Sequence, residues 1–148
     1  MNSHRIRGVM LIEALVAILI FSVGILAVVG MQSVAIQNVT DAKYRSEAAF
    51  LAGELLSQMW ADTPNLAAYA YAGSGAPPLR LQSWVDRVDS RLVGTTGAGG
   101  VPPIVSITAD ATLGTIVQIT VRWRLPESAS TGAAAHRHMI LATVNINP

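Results

Sequence analysis

From Val9 to Met31 nearly every position is apolar, and Glu13 is the one charged residue in that stretch. The chain then stays free of charge from Ala14 through Thr40. A run that is apolar on all sides reads as a helix meant for lipid or for other helices, since crossing a hydrocarbon core takes roughly 20 such residues. Further on, the apolar positions narrow to a stripe. Tyr44, Ala48, Leu51, Leu55 and Met59 recur at spacings of three and four, as one face of an amphipathic helix does. On its polar side Asp41 and Arg45 form a favourably ordered i,i+4 pair, and Lys43 and Glu47 share that spacing in the weaker order. No Pro occurs before Pro64, so residues 9 to about 61 read as one helix, on the order of 80 Å long at a rise of about 1.5 Å per residue. Asp62-Thr63-Pro64-Asn65 stops it.

The pattern then changes period. A small-residue loop carries Tyr69, Tyr71 and Gly73-Ser74-Gly75-Ala76-Pro77-Pro78. Trp84, Val85, Val88 and Leu92 have helical spacing and predict a short helix over 81–92. Residues 94–103, rich in Gly, Thr and Pro, read as a flexible connection. Residues 104–109 predict a strand. The clearest strand is 115–125, where Val117, Ile119, Val121, Trp123 and Leu125 alternate with Gln118, Thr120, Arg122 and Arg124. After a loop at 126–135, a last strand is expected over 137–147, with His138, Ile140, Ala142, Val144 and Ile146 on one face. Sequential strands with short connections favour an antiparallel sheet, because parallel strands need long crossovers. The long helix then lays its stripe on that sheet. Val121 and Trp123 should face the helix, and Arg122 and Arg124 should face solvent or a neighbouring subunit. The expected class is α+β: a long N-terminal helix packed on a small antiparallel sheet.

Composition fits a small anchored protein. The 148 residues allow one compact domain plus the helix. Hydrophobic residues make up 51% and charged ones only 13%, with a mean hydropathy of +0.45, much of it from the first helical half. The formal net charge is +1, and loss of Arg5 and Arg7 with a leader would leave eight basic residues against nine acidic, a net of −1. A near-neutral chain does not suggest a general polyanion binder. There are no cysteines, so no disulfide contributes.

The start of the chain carries the sharpest signal. Arg5-Ile6-Arg7-Gly8 is a short basic leader ending in Gly, followed by Val9-Met10-Leu11-Ile12-Glu13. An ordinary secretory signal has an apolar core of roughly 7–15 residues and a small-residue cleavage site. Ser33-Val34-Ala35 could serve as that site, but the apolar core is too long and a Glu sits at its entrance. A plain single-pass anchor remains, though a carboxylate at that depth wants a partner.

Gly8, an apolar residue, and then Leu11-Ile12-Glu13-Ala14-Leu15-Val16-Ala17 resemble the class III leader of type IV pilins and type II secretion pseudopilins. The resemblance covers residues 5–32 and extends loosely to about Asp62, where Phe21-Ser22-Val23-Gly24-Ile25-Leu26 and Gly30-Met31-Gln32 resemble the PilV group of minor pilins. It implies cleavage by a prepilin peptidase between Gly8 and Val9, and N-methylation of the new terminus at Val9. It also implies an assembly salt bridge from Glu13, the fifth residue of the mature chain. Val9 departs from the Phe that usually opens that chain. Major pilins often carry a kinking Pro in the membrane segment, and here Gly24 and Gly30 are the helix weakeners. The implied organisation is a leader at 1–8, a long helix at 9–62 with a transmembrane segment at about 9–31, and a periplasmic globular domain at 63–148.

Catalysis leaves little trace. His136-Arg137-His138 lacks a nearby carboxylate or Cys, and a pair of ordinary surface and loop histidines is the simpler reading. No phosphate loop, paired catalytic carboxylates or nucleophile motif stands out, so neither a cofactor nor an enzymatic activity is expected. Arg122, Arg124 and Arg137 could line a basic strip for DNA, but a solvated strand face explains them and no nucleic-acid partner is expected. Trp60, Trp84 and Trp123 read as core or domain-edge residues.

The resemblance thus implies a minor pilin of a Gram-negative type IV pilus. It would be a structural subunit of a tip or priming complex that supports assembly, motility and adhesion. It would sit in the inner membrane with its C-terminal domain in the periplasm, and reach the cell surface in the pilus. The implied partners are the prepilin peptidase, other minor pilins, the major pilin, a tip adhesin and inner-membrane lipid. A minor pseudopilin of type II secretion shares the leader and helix. A membrane-anchored periplasmic enzyme is the alternative of a different class, and it would need a polar cleft holding a catalytic constellation.

Overall fold

The structure is a computed structural model that describes residues 3–97, 99–110, 114–125 and 134–144. Its first element, α1, is an unbroken helix over Ser3–Ala61, 59 residues long. Such length needs the absence of Pro and external support for its faces, because isolated helices gain little from propensity alone. The chain divides into two compact units, Met1–Asp41 and Ala42–Pro148, and α1 contributes to both. The division falls where the charge-free stretch ends, at Asp41.

In the first unit the helix is exposed all round, from Val9 to Val39. It is long and apolar enough to cross a membrane. Two of its hydroxyls, Ser22 and Thr40, bond back to the helix. Ser22 Oγ donates to Ile18 O at 2.7 Å and Thr40 Oγ1 donates to Ile36 O at 2.9 Å, so neither needs water.

The second unit is α+β. After α1 come a short 3₁₀ helix over Thr63–Tyr69, α2 over Leu79–Arg91, and the strands β1 (Ile104–Asp110), β2 (Gly114–Trp123) and β3 (His136–Val144). The strands form one antiparallel sheet in the order β1-β2-β3, with Val105 opposite Ile119 and Ile119 opposite Ile140. The helical stripe is as expected: Ala48, Leu51, Leu55 and Met59 are buried, Tyr44 packs on their edge, and Ala52 joins them. They share one core with Leu81, Trp84, Val85 and Val88 of α2 and with Val105, Val117, Ile119, Val121 and Trp123 of the sheet. The inward assignment of Val121 and Trp123 therefore holds. Of the other tryptophans, Trp84 is buried and Trp60 is half exposed.

Several elements differ from expectation. The helix α2 begins two residues early, at Leu79, directly after the Pro77-Pro78 pair, a place where Pro is tolerated. Arg124 and Leu125 both lie beyond β2, which ends at Trp123. The last strand starts at His136, so that histidine is a strand residue; it stacks on Trp123 with ring centroids 5.6 Å apart. The expected continuation of that strand through Ile146 and Asn147, and most of the 126–135 loop, lie outside the described residues.

The main correction concerns Arg122 of β2 and Arg124 just past its end. Arg122 and Arg124 were expected to face solvent or a neighbouring subunit, and both are instead used within the chain. Arg122 donates from Nε and Nη2 to Pro102 O at 2.9 and 2.6 Å. Arg124 donates from Nη1 to Gly99 O at 3.1 Å, and its backbone N–H donates to Val93 O at 3.0 Å. The physical reason is carbonyl supply. A loop outside regular structure has unpaired carbonyls, and guanidinium groups on the adjoining strand satisfy them. The connection is thus a fastened turn. Gly94 is required in it: its φ is +66°, and a Cβ there would lie 2.5 Å from the Arg124 carbonyl oxygen.

Candidate assembly interface

Gly8, Val9 and Glu13 all lie on α1, and the Gly8–Val9 bond falls inside the helix, so no change of backbone marks it. Val9 and Glu13 are four residues apart and therefore share a face, one turn from each other. Both are exposed. Were the chain cut before Val9, the new amine would sit at the helix N-terminus, one turn from the Glu13 carboxylate.

The surface around these residues is continuous and apolar. Leu11, Ile12, Leu15, Ile18 and Leu19 are each more than half exposed. Gly24 and Gly30 make shallow notches in it, one beside Phe21, Ile25 and Val28 and the other beside Ala27, Met31 and Val34. A Cβ at either glycine would meet nothing within 4 Å, so nothing inside the chain requires a glycine there. Each costs the helix about 1 kcal/mol relative to Ala.

In the second unit the sequence reading missed an ion-pair seam between α1 and α2. Glu47 meets Arg91 at 2.5 Å, Glu54 meets Arg87 at 2.9 Å, and Asp62 meets Arg80. Trp84 Nε1 donates to Leu51 O at 2.8 Å within the same seam. Numbers rise along α1 as they fall along α2, so the helices run antiparallel. The signal was present: Glu47 and Glu54 fall seven residues apart on one stripe of α1, with Asp62 eight further on just past its end, and Arg80, Arg87 and Arg91 fall seven and four apart on one stripe of α2. Glu47 thus pairs across the helices rather than with Lys43, whose ammonium lies 6.0 Å from the Tyr44 ring. Hydrogen bonding by Glu47 holds the Arg91 guanidinium above its ordinary pKa.

Asp62 is a node. It accepts from Asn65 Nδ2 at 2.7 Å, from Tyr69 OH at 3.0 Å and from Arg80. The Asn65 hydrogen bond, with Tyr69 and Arg80 behind it, holds the carboxyl below its usual range against partial desolvation. Burial first, and the Asp62 hydrogen bond second, push the Tyr69 phenol up.

A cleft of about 400 Å³ opens among Tyr71, Gln82, Asp86, Asp89, Thr95 and Thr96, and its lining contains no His, Cys or Lys. Among the described residues no group of three or more metal-binding side chains gathers. His136 and His138 share the core-side face of β3, opposite Trp123 and Val121.

By architecture this is an α+β chain: a long apolar N-terminal helix continuing into a small domain with a three-stranded antiparallel sheet. No protein-family model, curated protein or solved structure matches it.

Proposed function

We propose that the chain is a minor pilin of a type IV pilus, a structural subunit held in the inner membrane before assembly. Glu13 carries the reading: it is an exposed carboxylate at the entrance to a charge-free helical surface, one turn beyond the residue that follows Gly8. Burial of that surface in lipid or among neighbouring helices would strand the carboxylate unless a cation met it. The amine created by cleavage before Val9 is that cation, on the same chain in the membrane and on a neighbouring subunit in the filament. The division of α1 adds support, because one half is exposed and apolar all round while the other is buried on its own domain. In this reading the covalent chemistry belongs to the prepilin peptidase, which cuts after Gly8 and methylates Val9. The chain itself supplies shape and contacts to other minor pilins, the major pilin and a tip adhesin.

Glu13→Ala tests the reading. Removing one member of a buried pair costs roughly 3–5 kcal/mol. We expect the variant to be cleaved after Gly8 and to stay in the membrane, yet to be absent from sheared pili and from crosslinks to partner pilins. Normal incorporation would leave Glu13 as a tolerated residue of a plain anchor. Crosslinks to secretion-system subunits in place of pilins would assign the chain to a pseudopilus.

A further inference from the structure

The sheet ends on β3, and among the described residues no strand lies on its far side. Open edges are ordinarily blunted by charged side chains, by Pro, by a bulge or by shortness. Described over His136–Val144, β3 has nine residues in unbroken register with β2 and contains no Pro, and its one formally charged residue, Arg137, lies next to its start. On its outward face Arg137, Met139, Leu141 and Thr143 are exposed, with Met139 at 54% and Leu141 at 65%. Ile104 and Ile116 lie on the same outer face of the sheet, in the rows of Met139 and Thr143. A regular apolar edge of this kind is a template for another strand.

The order of residues along β3 says which strand fits. We propose that β3 pairs antiparallel with β3 of a second copy of this chain, about a two-fold axis at Ile140, to make one continuous sheet. In that register Met139 of each copy lies opposite Leu141 of the other, and Arg137 lies opposite Thr143. Both outward apolar side chains thus gain an apolar cross-strand partner, twice over by symmetry. The two Arg137 side chains stand roughly 20 Å apart along the edge, six residues at about 3.3 Å each, which is beyond a Debye length in physiological salt. Placing Arg137 opposite itself would set like charges together and leave Met139 and Leu141 without partners. A one-residue slip would turn the outward set of one copy to the core-side face of the other. A partner matched by charge would need an acidic residue opposite Arg137, whereas the self-pairing needs none. The inference stands on the second unit alone and is independent of the pilin reading.

The absence of cysteine from the chain makes the register measurable. Directly opposed residues have Cα atoms about 4.5–5.5 Å apart, within disulfide reach, and diagonal ones about 7–8 Å apart, outside it. Full-length Met139→Cys and Leu141→Cys chains are co-expressed, and their membranes are treated with a mild oxidant. We expect the mixed disulfide dimer at about tenfold the yield of either variant alone. An Arg137→Cys chain should give no dimer with itself and a dimer with Thr143→Cys. Crosslinking of Arg137→Cys to itself at equal yield would overturn the proposal by showing collision without register. So would absence of the mixed dimer in chains that keep their thermal unfolding midpoint, or capture of a different protein at the edge.

Discussion

At the scale of single residues, two tryptophans offer a controlled comparison. Trp84 and Trp123 are both buried, but Trp84 Nε1 has the Leu51 carbonyl as acceptor, whereas Trp123 Nε1 has no hydrogen-bond partner among the described residues. Substitution by Phe removes a satisfied donor in one case and an unsatisfied one in the other. We expect Trp84→Phe to cost about 1 kcal/mol more than Trp123→Phe in thermal unfolding of the full chain in detergent, because only Trp84 loses a formed hydrogen bond. Equal losses would show that ring packing alone decides both. Asp62 is a second residue-scale case. Its carboxyl is depressed, so its contribution is present above the ordinary carboxylate range, about pH 4, and is lost as pH falls through the lower folded value. Asp62→Asn should lower the unfolding midpoint at pH 7, and the gap to the parent should close as pH drops below about 4. A gap that persists in strong acid would place the effect in packing rather than charge. Asp62 was legible in the sequence as a helix stop, but not as a partner of Arg80, since those residues are 18 apart and meet only when α2 docks.

At the scale of elements, α1 and β2 show what periodicity can and cannot deliver. The helical stripe and the alternation of Val117, Ile119, Val121 and Trp123 were readable because burial selects side chains at fixed periods. The partners of the polar positions were not readable from the same pattern. Alternation says that Arg122 points away from the core, yet the Pro102 carbonyl waits there, supplied by a loop whose path no period encodes. Arg122→Ala should therefore destabilise the domain by about 1.5–3 kcal/mol through loss of charged hydrogen bonds, measurable as a lower unfolding midpoint and faster amide exchange around residues 94–102. An effect near zero would return Arg122 to the solvated face. The glycines of α1 bear on assembly. Gly24→Ala and Gly30→Ala each favour the isolated helix by about 1 kcal/mol. If neighbouring helices enter those notches, both variants should incorporate poorly into pili while their membrane levels are unchanged, as read by shearing and immunoblotting.

At the scale of the whole molecule, the chain reads as two units with different solvents. Residues 9–39 are exposed in every direction and mostly apolar, and those from Ala42 onward contribute to a core of their own. Processing should respect that division. Gly8→Val should leave residues 1–8 attached and the protein stranded in the inner membrane, because a peptidase acting at this bond needs the close backbone approach that a Cβ obstructs. N-terminal sequencing of the mature chain checks this, and a start after Ala35 would identify an ordinary signal peptide. The long helix, its change of character, the α+β class and the inward faces of the strands were determined by the sequence itself. Each follows from local propensity and from periods of 3.6 or 2 that burial imposes on neighbouring residues. The antiparallel docking of α2 through Glu47–Arg91 and Glu54–Arg87, the fastening of the 94–103 turn by Arg122 and Arg124, and the stack of His136 on Trp123 were decided only by the tertiary structure. Those contacts join residues far apart in the chain, and a polar side chain takes whichever partner the folded backbone brings within hydrogen-bond reach.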